Sequence, residues 1–255
     1  MEHESDSGTL FGKPFLRSIH SVADKWDADR YPFNAPALTE GIDLTLRARV
    51  TFLVGENGSG KSTFLEALAE CCGFSPEGGN RDHVRATFAE RSELAQAIRL
   101  IWFPKVTQGF FMRAESFYNF ATYLEEVNED LPNYSAYGGK SLHDQSHGES
   151  FLALFENRFE QGLYLLDEPE AALSPQRQLA FLRIIRDLER SGHAQFIIAT
   201  HSPILLAYPG AALINFDEPS MQEIAYKDTE HYRISRDFLN APERFFRLLF
   251  EDDDR

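Results

Sequence analysis

The chain reads as an α/β fold built on a mostly parallel sheet. Three apolar runs carry that reading. LTLRARVTFLVG (44–55) ends in the first, GLYLLDEP (162–169) holds the second and QFIIATHS (195–202) the third. Strands covered on both faces of a parallel sheet read as unbroken apolar runs, and each needs a crossover, usually a helix, to return to the same edge. Helix-like stretches do follow the first two runs, at 61–72 and 174–192.

The elements follow in order. Residues 1–10 (MEHESDSGTL) are polar and read as a loose, disordered end, like the EDDDR tail at 251–255. Segments 15–22 and 31–54 contain alternating and β-branched stretches and read as β structure. A Gly-rich turn leads into a helix from Lys61 to Cys72. Residues 73–83 read as loop and ERSELAQAIRLIW (90–102) as helix. Turn signals near Pro104 and Gly109 bracket a short β-like piece. Residues 115–128 read as an aromatic amphipathic helix, 129–147 as loop and 151–159 as helix. The helix at 174–192 has Pro175 in its first turn and Gly192 past its end. Pieces near 211–216 and 222–226 read as a strand pair, and APERFFRLLF (241–250) as a closing helix. The whole chain, 1–255, is read as one domain, with 73–160 as a helical lobe inserted in its core.

Composition narrows the function classes. With 255 residues, 43% of them apolar, the chain can bury a large core without disulfides or metals. The formal net charge of −15 argues against a domain that coats nucleic acid unaided, although it leaves room for a local basic patch. Cys71 and Cys72 are adjacent, a poor disulfide and no zinc motif, and read as helix thiols in a reducing cytosol. No signal segment and no run of about 18 apolar residues is seen, so a cytoplasmic protein without direct membrane insertion is expected.

Residues 55–63 read GENGSGKST, between an apolar strand and a helix. Gly55, Gly58 and Gly60 let the backbone curl, so that N–H groups from Asn57 to Thr63 point at one anion. The helix N-terminus adds its partial positive charge. In such a loop Lys61 reaches the β- and γ-phosphates, and the Ser62 hydroxyl holds Mg²⁺. Ser59 completes the loop. LYLLDEPEAALS (163–174) is an apolar strand that ends in Asp167 and Glu168. At the carboxyl edge of the sheet, Asp167 would hold Mg²⁺ and Glu168 would orient or deprotonate a water. His201 ends the next run and falls on the same edge if the strands are parallel, within reach of a γ-phosphate. In QSHGES (145–150), Ser146 and Gly148 stand at a helix start and could also contact a γ-phosphate.

The phosphate loop, SHGES ahead of LLDEP, EAALS, and then THS, in that order, resemble the ABC ATPase superfamily over most of residues 31–205. FFMRAESF, QSHGESF, YLLDEPEAALSP and ATHSPILLAYPG resemble, more closely, small stand-alone bacterial ATPases of that kind. The resemblance implies a P-loop NTPase head with an antiparallel β subdomain beside the parallel sheet. It also implies ATP and Mg²⁺ as ligands. The family signature is LSGGQ; Ser146 and Gly148 match it, while His147 and Glu149 depart from the transporter form toward that of chromosome-maintenance and repair ATPases. By the same likeness, Ser146 and Gly148 complete the ATP site of a second copy, giving a homodimer on ATP binding. AALS (171–174) matches a loop that crosses that interface. A glutamine loop is implied as a further Mg²⁺ and γ-phosphate contact; Gln108 is the candidate, with Arg113 or Glu115 as alternatives. An aromatic ring upstream of the phosphate loop is implied as the adenine stack, with Tyr31 and Phe33 as candidates.

Residues 73–145 leave room for a small lobe, not for a coiled-coil arm. The resulting expectation is an ATP-driven dimerising switch, catalysed by Glu168, His201 and Lys61, that works with an unknown protein partner in a process such as DNA repair or defence. A transporter ATP-binding subunit and a nucleotide-sensing module with little turnover are the alternatives.

Overall fold

The computed structural model describes residues 12–75, 78, 91–113, 147–158 and 162–250. Sequence readings for 1–10, 115–128, 129–146 and 251–255 lie outside them. Eight strands are present among the described residues: β1 (Leu16–Ser21), β2 (Asp43–Thr45), β3 (Val50–Val54), β4 (Ile98–Trp102), β5 (Gly109–Arg113), β6 (Gly162–Asp167), β7 (Ala194–Ala199) and β8 (Ala212–Asn215). The helices are α1 (Lys61–Cys72), α2 (Glu93–Gln96), α3 (His147–Arg158), α4 (Pro175–Arg190), α5 (Pro203–Leu206), α6 (Glu230–Asn240) and α7 (Pro242–Phe250).

The strands form two sheets. The larger runs β5-β6-β7-β3-β8, and every pair in it is parallel. The smaller is antiparallel, in the order β2-β1-β4. The apolar runs became the central strands because every residue of β3, β6 and β7 is buried. One face of the large sheet packs on α1 through Phe64, Leu65 and Leu68, together with Leu16 and Ile19 of β1. The opposite face packs on α3 and α4 through Phe151, Phe155, Phe181 and Ile185. Each such ring or branched chain contributes about 1.5–3 kcal/mol when fully buried. Gln195 ties the two sheets. Its buried side chain accepts from the Phe15 and Leu16 N–H groups at 2.8 Å and donates to the Leu16 carbonyl at 3.1 Å.

Several elements differ from the sequence reading. In 90–102 the helix is short, and Ile98–Trp102 is a strand whose side chains alternate between cover and solvent. β5 begins at Gly109 rather than before it. Because β4 and β5 are strands of the two sheets, they are not part of a helical lobe spanning 73–160. Residues 31–42 are turns, with a 3-10 turn at Pro36–Leu38, because Pro32 and Pro36 interrupt any ladder. The expected pair at 211–216 and 222–226 reduces to β8 and a single antiparallel bridge, Ile214 to Glu223. Helix α6 was not read from the sequence at all. The two cysteines end α1 as thiols outside any disulfide, and burial pushes the Cys71 thiol up to about 11.

Candidate nucleotide site

The parallel sheet brings the ends of β3, β6 and β7 to one edge. β3 runs into the loop 55–60, and α1 starts at Lys61 with Gly60 as its cap in the left-handed region. No side chain caps α1, so its first N–H groups have no side-chain acceptor and the helix dipole lies behind them. Gly60 is required: its φ is +103°, and a Cβ there would press on Ala35 at 3.0 Å. Lys61 is only 5% exposed and folds over the loop, donating to the Gly55 carbonyl at 2.6 Å and to Glu56 at 2.9 Å. Burial lowers its pKa, opposed by Asp217, Glu168, Asp167 and Glu56. Ser59 is buried under the loop, while Asn57 and Gly58 stand exposed at its tip. Asp217 braces the loop from β8's end by accepting the Glu56 N–H at 2.6 Å.

Two strands away, Asp167 closes β6. Its Oδ1 accepts the Ser62 hydroxyl at 3.1 Å, which joins the phosphate loop to the acidic strand end. Burial, first, pushes its carboxyl up to about 6, against the Ser62 bond and Arg113. A buried carboxylate beside a hydroxyl suits a hard divalent cation. Mg²⁺ takes one or two protein oxygens and completes its shell with water and phosphate, so it needs no cage. No group of three acidic, histidine or cysteine side chains suited to a metal occurs among the described residues. Ser62 and Asp167 therefore fit Mg²⁺ held jointly with a phosphate.

Glu168 follows in the left-handed region, at φ 49°, a conformation that costs a non-glycine residue energy and clusters at functional sites. Its N–H continues the sheet ladder to Ala199, and its carboxylate lies 3.4 Å from His201 Nε2. The His201 N–H donates to Glu170 Oε1 at 2.6 Å. Burial lowers the His201 pKa, as do Lys61 and His231, so a neutral ring is favoured.

Two expectations need correction. Gln108 precedes β5, whose register pairs Gly109 with Leu163 and Arg113 with Asp167. Gln108 thus lies at the opposite edge of the sheet, roughly 16 Å of strand from Arg113, and cannot be a metal ligand of this site. Arg113 stands at the site instead: Nε is 3.5 Å from Asp167, and Nη1 pairs with Glu66 at 2.5 Å. Phe33 is 1% exposed with its ring edge on Trp26, so no base can stack on it. Tyr31 is 68% exposed, and its hydroxyl lies 3.4 Å from Thr63 Oγ1 at the start of α1. Glu115 and Ser146 lie outside the described residues. Gly148 sits in the first turn of α3, where Glu149 pairs with Arg177 at 3.0 Å. α3 and α1 cover opposite faces of the sheet.

Sequence reasoning missed His231, Glu170, Asp217 and Glu66. His231, Asp217 and Glu66 belong to no motif. Glu170 sits within EAALS and could have been weighed as a third carboxylate; the others carried no local signal.

A glycine loop on a strand–helix turn, facing a carboxylate pair and a histidine across a parallel sheet edge, defines a P-loop nucleotide hydrolase. Residues 34–127 match the family model described as "AAA domain", and residues 150–207 match "AAA domain, putative AbiEii toxin, Type IV TA system". The chain is 29% identical over 194 residues to the "Xylose import ATP-binding protein XylG" of Shigella flexneri, covering 66% of this chain and 36% of that protein. The chain thus spans little more than a third of that relative. It is 28% identical over 207 residues to an "Uncharacterized ABC transporter ATP-binding protein" of Haemophilus influenzae, covering 73% and 77% of the two. Among solved structures, cbiO1 from Clostridium perfringens, part of the ABC transporter complex cbiONQ, is similar at 15% identity and TM-score 0.49, over 89% of this chain and 97% of that one. The two family models and the ATP-binding relatives together support a place for the chain in the ABC-type ATPase superfamily.

Proposed function

We propose that this chain hydrolyses ATP at the edge formed by β3, β6 and β7, in a site completed by a second copy. The observation that carries the reading is the Ser62–Asp167 bond at 3.1 Å, which holds the phosphate loop against the acidic strand end. The loop N–H groups and Lys61 bind the β- and γ-phosphates, and Lys61 exchanges its carbonyl partners for phosphate oxygens. Tyr31, exposed beside Thr63, offers a ring to the adenine. Mg²⁺ held by Ser62 and Asp167 would neutralise charge on the phosphates. Glu168 orients a water for in-line attack and takes its proton, while His201 donates from Nε2 toward the γ-phosphate. Arg113 replaces Gln108 as the side chain that senses this corner, because its guanidinium already faces Asp167.

The homodimer rests on the signature-like segment. Gly148 lies in the first turn of α3, and α3 covers the other face of the sheet from α1, which supports the segment's acting on a partner copy's ATP. Loss of the γ-phosphate would release those contacts and open the dimer. The departures at His147 and Glu149, and the family description at 150–207, favour a switch acting with a protein partner, in repair or defence, over transport. A transporter subunit is the second reading, favoured by the names of the relatives. Steady-state phosphate release with Lys61→Ala and Glu168→Gln tests the proposal. Both should lose turnover, and only Lys61→Ala should lose ATP binding; wild-type turnover in Glu168→Gln would refute it.

A further inference from the structure

His201 does not stand alone at the sheet edge. Its Nδ1 lies 2.8 Å from Nε2 of His231, on the first turn of α6, and the two rings are 4.9 Å apart. Helix α6 starts after a cap in which Thr229 accepts the Tyr232 N–H. Tyr226, just ahead of it, donates to the Pro203 carbonyl and lies with its ring tilted against that of Tyr232. These bonds hold His231 over the loop that carries His201.

A hydrogen bond between two neutral imidazoles has one donor, and the surroundings decide which. The outer nitrogen of His201, Nε2, is buried without a hydrogen bond and faces the Glu168 carboxylate at 3.4 Å. A nitrogen beside a carboxylate is better protonated than left with a lone pair turned toward it. With the proton on Nε2, His201 Nδ1 is an acceptor, and His231 Nε2–H is the donor. His231 Nδ1 then keeps its lone pair, buried and without a protein partner. The opposite assignment would aim two lone pairs at each other across the Glu168 contact.

We infer that His231 is a positioning residue. It donates to His201 Nδ1 and thereby fixes the tautomer and ring plane that present an N–H to the γ-phosphate. Helix α6, although it carries no motif, is in this way part of the nucleotide site. The inference rests on the hydrolytic role proposed above for His201. The Glu170 bond fixes the His201 backbone, and His231 fixes its ring.

The test combines ring ¹⁵N chemical shifts of His201 with steady-state kinetics of the full chain. In the wild type, His201 should titrate as the Nε2–H tautomer. His231→Ala should lower kcat by roughly 10–100-fold, by analogy with the range seen when the partner orienting a metal-ligating histidine is removed, with little change in ATP affinity. His231→Gln, whose amide N–H can reach Nδ1, should recover most of the rate. An Nδ1–H tautomer in the wild type would overturn the inference. So would wild-type kcat in His231→Ala, or equal losses in His231→Ala and His231→Gln with unchanged melting. Lys61→Ala and Glu168→Gln serve as controls. If they leave turnover intact, the site reading itself fails; if they abolish it while His231→Ala does not, only the role of His231 fails.

Discussion

Asp167 meets two opposed demands. As the last residue of a wholly buried strand it loses solvation, yet the chemistry needs it ionised. Its folded-state pKa of about 6 lies above the ordinary 3.8, so the native state binds that proton more tightly than the unfolded chain. Stability contributed by the protonated form is therefore present at low pH and lost as pH rises from 3.8 through about 6. Asp167→Asn removes the charge and should stabilise the nucleotide-free protein by roughly 1–3 kcal/mol near pH 7.5, with the gain gone near pH 4. Urea unfolding at the two pH values measures it, and Mg-ATP turnover should vanish in the same variant. Arg113 and Gln108 make a second contrast. Arg113→Ala removes a cation facing Asp167 and should cost roughly 10²-fold in kcat, as loss of an electrostatic contact to the reacting phosphate does. Gln108→Ala, at the far edge of the sheet, should turn over normally. Lys61, Ser62, Asp167, Glu168 and His201 were legible because motif spacing places them in sequence. Arg113 was not separable from Gln108 because a strand of five residues has two ends, and only the register with β6 says which end meets Asp167.

At the scale of elements, parallel strands explain both what was legible and what was not. β3, β6 and β7 are covered on both faces and show as apolar runs. β4 is covered on one face, and its IRLIW alternation followed a helix-like stretch closely enough to be merged with it. Helix α6 has no buried residue and carries no motif, and its apolar face, which packs Phe238 on Phe245 and Phe246 of α7, went unread. Two substitutions test how the elements are joined. Gly109 opens β5 at φ +143°, and a Cβ there would overlap the Leu163 carbonyl and the Phe74 ring. Gly109→Ala should cost about 1–3 kcal/mol or more, since the β5–β6 ladder must shift. Any such shift moves Arg113 relative to Asp167, so turnover should fall with stability. Gln195→Leu deletes the clip between the sheets and strands three backbone groups of Phe15 and Leu16, each worth about 1–3 kcal/mol when buried unsatisfied. Thermal unfolding of both variants reads these costs directly.

For the whole molecule, the large sheet separates two working surfaces. α1 packs on one face; α3 and α4 pack on the other. In the proposed mechanism, the second surface serves the ATP of a partner copy. No helix among the described residues is long and apolar enough to cross a membrane. Glu168→Gln should bind ATP without consuming it and accumulate in the closed state. The most direct measurement is the mass in solution of Glu168→Gln with and without Mg-ATP. A monomer that becomes a dimer only with Mg-ATP is the predicted result. A monomer that binds ATP and stays a monomer would contradict the shared site.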